Sequence, residues 1–238
     1  GRARSLRALG LLGLLDDAMI SAAANDSSRL VRVHLVTAVA DLPDAARTHG
    51  RLFRERLADA DPFVRRAAAE ACVARPTVDA VPDLLAAIRS TPADDRQLSH
   101  ALRMAVAAAL RSADPDRLVS LSVATADHAT LLDIVAGLPG EAFARFGLAL
   151  SRQGQPSATD LARVCRSVAR YADDKQVDDA AAYARASCGD DVDRTATVIQ
   201  AMLEGRRESG RPIVPESGLA GWSRWFLDTV GGLPTRPS

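Results

Sequence analysis

Apolar residues recur at i, i+3, i+4 and i+7 along almost the whole chain, and the strict alternation of a strand is absent, so the pattern predicts helices throughout. Val64, Ala67, Ala68 and Ala71 form one stripe, Leu98, Ala101, Leu102 and Ala105 another, and Leu161, Val164, Cys165, Val168 and Ala172 the cleanest. Between stripes stand Pro43, Pro76, Pro92, Pro115, Pro139, Pro156 and Pro215, where a helix boundary tolerates proline and a helix interior does not. Ser157-Ala-Thr-Asp160 and Thr91-Pro-Ala-Asp94 have capping-box spacing. Asp61-Pro62 places proline in a first turn. The spacing predicts helices over about 3–14, 16–24, 28–42, 44–58, 62–74, 78–90, 94–112, 115–125, 128–137, 140–152, 158–172, 174–187, 191–208 and 217–230.

The stretch Asp59-Ala-Asp-Pro-Phe-Val-Arg-Arg-Ala-Ala-Ala-Glu-Ala-Cys72 has a degenerate copy 33 residues earlier. At that offset Asp26 falls on Asp59, Val31 on Val64, Arg32 on Arg65, Leu35 on Ala68 and Ala38 on Ala71. Such a period marks an array of helix pairs, each burying its apolar face only against a neighbour. The predicted fold is all-α, an array over residues 1–208 that is regular to about 91 and degenerate after it. Beyond 91, Leu98 replaces the valine and Ser99 the arginine. Residues 209–230 read as a loop and a terminal capping helix, and 231–238 as a linker or disordered tail.

Aromatics are 4% of the chain against 47% hydrophobic residues, a composition suited to close helix packing on alanine. Thirty basic residues balance thirty acidic ones, which removes any global pull toward nucleic acid or anionic membrane. Lys175 is the only lysine. Cys72, Cys165 and Cys188 have no Cys-x-x-Cys spacing and indicate neither zinc nor a disulfide framework. Arg2, Arg4 and Arg7 ahead of Leu9-Gly-Leu-Leu-Gly-Leu-Leu15 imitate a secretory leader, but Asp16-Asp17 cuts the apolar run short, and a buried helix is expected. No stretch approaches the roughly 20 apolar residues of a membrane span. A chain that begins with Gly1 reads as a piece of something longer.

The pattern Asp-x-x-x-x-Val-Arg before an alanine-rich helix, at Asp59…Val64-Arg65 and more weakly at Asp26…Val31-Arg32, resembles the HEAT repeat over residues 16–91. That resemblance implies a right-handed α-solenoid of antiparallel helix pairs, with Asp26, Arg32, Asp59 and Arg65 as a structural ladder between repeats. Thr91–Val106, Leu138-Pro-Gly140 and Ala201–Arg207 resemble, more narrowly, HEAT segments of large bacterial multidomain proteins frequent in planctomycetes. There the repeats lie between a dehydrogenase-like β-propeller and a cytochrome c domain, and this chain would be the connector, periplasmic or secreted. The haem-attachment sequence Cys-x-x-Cys-His does not occur.

No constellation specifies a reaction. His34, His49, His100 and His128 lack partners at metal-binding spacing, and His34 falls on a core stripe. The pairs Asp16-Asp17, Asp94-Asp95, Asp173-Asp174, Asp178-Asp179 and Asp190-Asp191 are expected at helix starts, where a carboxylate meets free N–H groups and a partial positive charge. Arg65-Arg66, Arg51…Arg54…Arg56 and Arg206-Arg207 are expected on solvated faces with local ion pairs. Trp222, Trp225 and Phe226 share one face of the last helix, suited to capping the array or docking an adjoining domain. No glycine-rich phosphate loop or nucleophile elbow occurs, and nothing points to a cofactor or metal. The reading is a non-enzymatic scaffold whose partner is a protein or an adjoining domain. The competing reading is a nucleic-acid binder, as in HEAT-like DNA glycosylases, using Arg66, His100 and Arg103 on a concave face.

Overall fold

A computed structural model describes residues 1–231; residues 232–238, most of the expected tail, lie outside the described residues. Among those described the chain is helical with no strand. The helices are α1 (Arg2–Leu11), α2 (Asp17–Ala24), α3 (Arg29–Ala40), α4 (Ala45–Arg56), α5 (Pro62–Ala74), α6 (Val81–Ser90), α7 (Arg96–Arg111) and α8 (Pro115–Val119). They continue with α9 (His128–Ala136), α10 (Glu141–Ser151), α11 (Ala158–Tyr171), α12 (Asp174–Cys188), α13 (Val192–Ser209) and α14 (Gly218–Gly231). Each corresponds to a stripe in the sequence. The helices fall into two compact units, residues 1–127 and those from His128 on.

In the first unit α1, α3, α5 and α7 pack in succession as one layer, while α2 packs on α3, α4 on α3 and α5, and α6 on α7. In the second, α9, α11 and α13 form the layer, with α10 on α9 and α11, α12 on α11 and α13, and α14 on α12 and α13. Both units are α-solenoid stacks of helix pairs. Alanine makes the close packing possible: α5 buries Val64, Ala67, Ala68, Ala69, Ala71 and Cys72. Burial drives the thiols of Cys72 and Cys165 up to about 12, so both serve as small apolar residues.

Caps explain where the helices begin. Asp16 accepts from the Met19 N–H at 2.7 Å, Asp95 from Leu98 at 3.0 Å and Asp191 from Arg194 at 2.9 Å. Asp173 and Gln176 form a reciprocal capping box. Three expectations differ. Thr91 caps nothing; its hydroxyl donates to the Ala87 carbonyl at the end of α6, and α7 waits for Asp95. Ser157 does accept from the Asp160 N–H, but the Asp160 carboxylate accepts the serine hydroxyl rather than the Ser157 N–H. Asp178 and Asp179 lie beyond the first turn of α12: Asp178 accepts from the Gly218 N–H at the start of α14, and Asp179 pairs with Arg152 at 2.7 Å.

The expected helix over 115–125 stops at Val119. Leu118 is buried and Val119 is not, and the following Ser-Leu-Ser-Val alternates with period two, which cannot sustain a helical stripe.

Helix C-termini are closed from a distance. Arg56 donates to the carbonyl of Ala24, the last residue of α2, and Arg75 to that of Ala40, the last of α3, both at 2.8 Å. Arg211 reaches the Ala172 carbonyl after α11, and the Tyr183 hydroxyl the Ser151 carbonyl ending α10, both at 2.7 Å. These carbonyls have no partner within their own helices and carry the negative end of the dipole. At Ala24, Ala40 and Ala172 a guanidinium from an element later in the chain satisfies both demands, whereas the Tyr183 hydroxyl supplies Ser151 with the hydrogen bond alone.

Helices α11 and α13 approach closely at Gly205. A Cβ there would overlap the Arg166 carbonyl oxygen and come within 3.1 Å of Ala169 Cβ. Gly205→Ala is therefore expected to destabilise by about 1–3 kcal/mol through overpacking, read as a lower urea midpoint; an unchanged midpoint would show that the two helices separate freely.

Candidate functional site

The ladder assembles around the turns that precede α3 and α5. Asp59 stands two residues before Asp61, the N-cap of α5, and its Oδ1 accepts the Asp61 N–H at 2.9 Å. Arg32, on α3, holds both oxygens of the same carboxylate: Nε to Oδ2 and Nη2 to Oδ1, each 2.9 Å. Its Nη1 donates to the Asp26 carbonyl at 2.9 Å. Side-chain exposure is 15% for Arg32 and 6% for Asp59, so water screens the pair little. Burial alone would push the Asp59 carboxyl up. The bonds from Arg32 and from the Asp61 N–H, with the charges of Arg32 and Arg56, outweigh it and hold the group below the ordinary carboxylate range.

Asp26 repeats the turn and its arginine one unit earlier, though with a single bond from a largely exposed guanidinium. Its Oδ1 accepts the Ser28 N–H at 2.8 Å, and Arg2 of α1 pairs with Oδ2 at 2.8 Å. Arg2 was not read as a ladder residue, because α1 has no Val-Arg dipeptide to align. Arg65 departs from expectation in the other direction. It is half-buried, its Nε is buried without a partner, and among the described residues it makes no ion pair.

The residues suspected of surface binding lie on neighbouring helices of one layer, Arg66 on α5 and His100 and Arg103 on α7. Arg66 is exposed but engaged: Nε bonds Glu70 at 2.9 Å, and Nη1 bonds Gln97 across to α7 at 2.8 Å. His100 is exposed and Arg103 half-buried. Phe63, absent from the sequence candidates, is 60% exposed with the Arg29 guanidinium 5.0 Å from its ring centroid.

The terminal aromatics part company. Trp222 is buried, Phe226 is half-buried, and Trp225 is 40% exposed beneath the Arg185 guanidinium, 4.6 Å from the ring centroid. Trp222 and Trp225 line an open groove of about 580 Å³ with Arg185 and Asp190.

Arg206 corrects the reading of Arg206-Arg207 as a solvated patch. It is 4% exposed, pairs with Asp174 and donates to the Pro212 carbonyl at 3.3 Å. The signal was present: Arg206 stands four residues after Met202 and seven after Ile199, both buried on α13, which places it on the apolar stripe. It lines a cavity of about 230 Å³ with Ile213, Val214 and Leu219. Among the described residues no group of three or more His, Cys, Asp or Glu side chains is placed to hold a metal ion, and no helix is long and apolar enough to cross a membrane.

Arg32→Ala leaves Asp59 a nearly buried carboxylate with only the more distant Arg56, 3.6 Å away, as its cation, and should cost about 1.5–3 kcal/mol of unfolding free energy. The sign of the pH effect follows from the depressed Asp59 pKa. The rung contributes fully above the unfolded carboxylate value of about 3.9 and is lost as pH falls through the lower folded value. Urea titrations at neutral and acid pH check this; Arg32→Ala should lose less stability than wild type on acidification, and equal losses would remove Arg32–Asp59 as the acid-sensitive rung.

The family model described as HEAT repeats matches residues 16–111. That span runs from the N-cap of α2 to the last residue of α7, past the point near 91 where the sequence pattern degenerates. Neither a curated protein nor a solved structure matches the chain. Over α2–α7 the chain is similar to HEAT-repeat proteins, the class its Asp-x-x-x-x-Val-Arg pattern resembles.

Proposed function

We propose that the chain is a non-enzymatic interaction scaffold, contacting a protein or an adjoining domain through the exposed faces of α3, α5 and α7. The observation that carries this is the distribution of charge in the HEAT-like span. Together α3, α5 and α7 hold seven arginines (Arg29, Arg32, Arg65, Arg66, Arg96, Arg103 and Arg111) and one carboxylate, Glu70. The acids that balance them sit in turns and caps. An array of stacked repeats offers a long face built from many helices, and here α3, α5 and α7 expose Arg29, Arg66, Arg96 and Arg111 together with the Phe63 ring. Aromatic and arginine side chains are enriched where protein interfaces carry their energy.

The narrower version, a connector between a propeller and a cytochrome c domain, rests on the segment resemblances alone. The family match covers HEAT repeats and no redox module. Cys-x-x-Cys-His downstream in the same gene, or a propeller upstream, is what that version expects, and a gene without either removes it.

The scaffold reading expects a partner, once bound, to slow amide exchange on α3, α5 and α7 and to leave α12 and α14 unchanged. Protection confined to the second unit would move the interface. Retarded migration of labelled duplex DNA at low salt, abolished by Arg66→Ala with Arg103→Ala, would replace this reading with the nucleic-acid one.

A further inference from the structure

The first two rungs share one construction. A carboxylate two residues before the N-cap of a layer helix takes the N–H of that cap and an arginine from the preceding layer helix. Asp26 serves Ser28 and Arg2; Asp59 serves Asp61 and Arg32. For the third rung the N-cap is Asp95, and two residues before it stands Ala93. The Asp95 N–H turns instead to the Pro92 carbonyl at 3.0 Å, and the turn's own carboxylates do not pair with Arg65: Asp95 accepts the Leu98 N–H, and Asp94 is exposed. The arginine of that rung is still present. Arg65 is the fourth residue of α5, as Arg32 is of α3.

Arg65 is thus a guanidinium in a ladder position without its anion, half-buried and with Nε both buried and unpaired. A partly desolvated cation without a counter-charge is costly, and a planar two-oxygen acceptor relieves that cost best. We propose that this vacant rung receives the carboxylate of an Asp or Glu side chain from a protein partner, gripped as Arg32 grips Asp59. The inference rests on the scaffold reading and names the chemistry of its docking point. An acidic partner is favoured because Arg96, exposed at the start of α7 beside this turn, makes no ion pair among the described residues, whereas Arg29, Arg32 and Arg66 already have theirs. A duplex backbone fits less well, because Glu70 pairs with Arg66 on the same helix and Asp61 caps it, interrupting the single-sign stripe that phosphates select.

The test uses the full chain and a fluorescein-labelled peptide of alternating glutamate and serine, titrated by anisotropy at low salt into the millimolar range. A glutamine-for-glutamate peptide and a labelled duplex serve as comparisons. The glutamate peptide should bind about tenfold or more tightly than the glutamine one. Arg65→Gln should weaken it about tenfold, and Arg47→Gln, on α4, by less than about twofold. Ala93→Asp should supply the missing carboxylate from within, weaken the peptide to the same extent, and raise the melting temperature by about 2–4 °C. The proposal is overturned if Arg65→Gln binds as wild type does, if glutamate and glutamine peptides bind alike, if the duplex outcompetes the peptide, or if Ala93→Asp changes neither reading. Peptide binding that survives Arg65→Gln sinks the rung alone; the exchange pattern on α3, α5 and α7 decides the wider interface separately.

Discussion

The bidentate grip of Arg32 on Asp59 is the contact on which the first unit's regularity depends. Helix pairs with alanine-rich faces can slide, since small side chains interlock weakly and dispersion between them changes gradually with register. A planar guanidinium set on two carboxylate oxygens does not slide, because both bonds are short only in one orientation. Asp59 adds the second constraint by holding the N–H of Asp61, the residue that caps α5. One carboxylate therefore fixes where a helix begins and where the preceding helix of the layer lies against it. Its near-burial gives the contact weight, and a surface pair of the same geometry would contribute far less.

Arginine does the same work at the other ends of the helices. The carbonyls of Ala24, Ala40 and Ala172 each receive a guanidinium N–H from an element well separated in sequence. Lysine would supply the charge, but its single ammonium cannot reach a carbonyl and a second acceptor in one plane. Arg32 illustrates the difference, its Nη1 donating to the Asp26 carbonyl while Nε and Nη2 hold Asp59. The near-absence of lysine, which composition alone leaves without a structural meaning, thus has a use in this fold.

Helix number and order were legible because burial imposes a 3.6-residue period on every element, and prolines and aspartates punctuate it. The pairing of Arg32 with Asp59 was legible in outline, since two copies 33 residues apart repeat both residues. What the sequence hid were facts set by three-dimensional register. Arg65 looks like Arg32 in an alignment, yet its partner position holds Ala93, and only the placement of the Asp95 cap reveals that. Arg206 carries a charge that suggests solvent, although its spacing from Met202 and Ile199 places it in the core. The division between Asp127 and His128 was invisible because the helical periodicity that resumes at α9 says nothing about which stack a helix joins.

These departures have a common cause, and it bears on function. Two stretches serve where stacking is regular: a helix stripe that packs and a turn that supplies the carboxylate. At α7 they separate, for Leu98, Leu102 and Ala105 keep the stripe fully buried while the preceding turn places Ala93 two residues before the cap, where the earlier rungs have their aspartate. Packing energy is retained and the electrostatic complement is lost, so stability does not require the missing carboxylate but the local charge still calls for one. A surface that folds without its counter-ion is free to take that ion from elsewhere. The vacant rung beside an arginine-rich layer is where the physics of the fold and the scaffold reading meet.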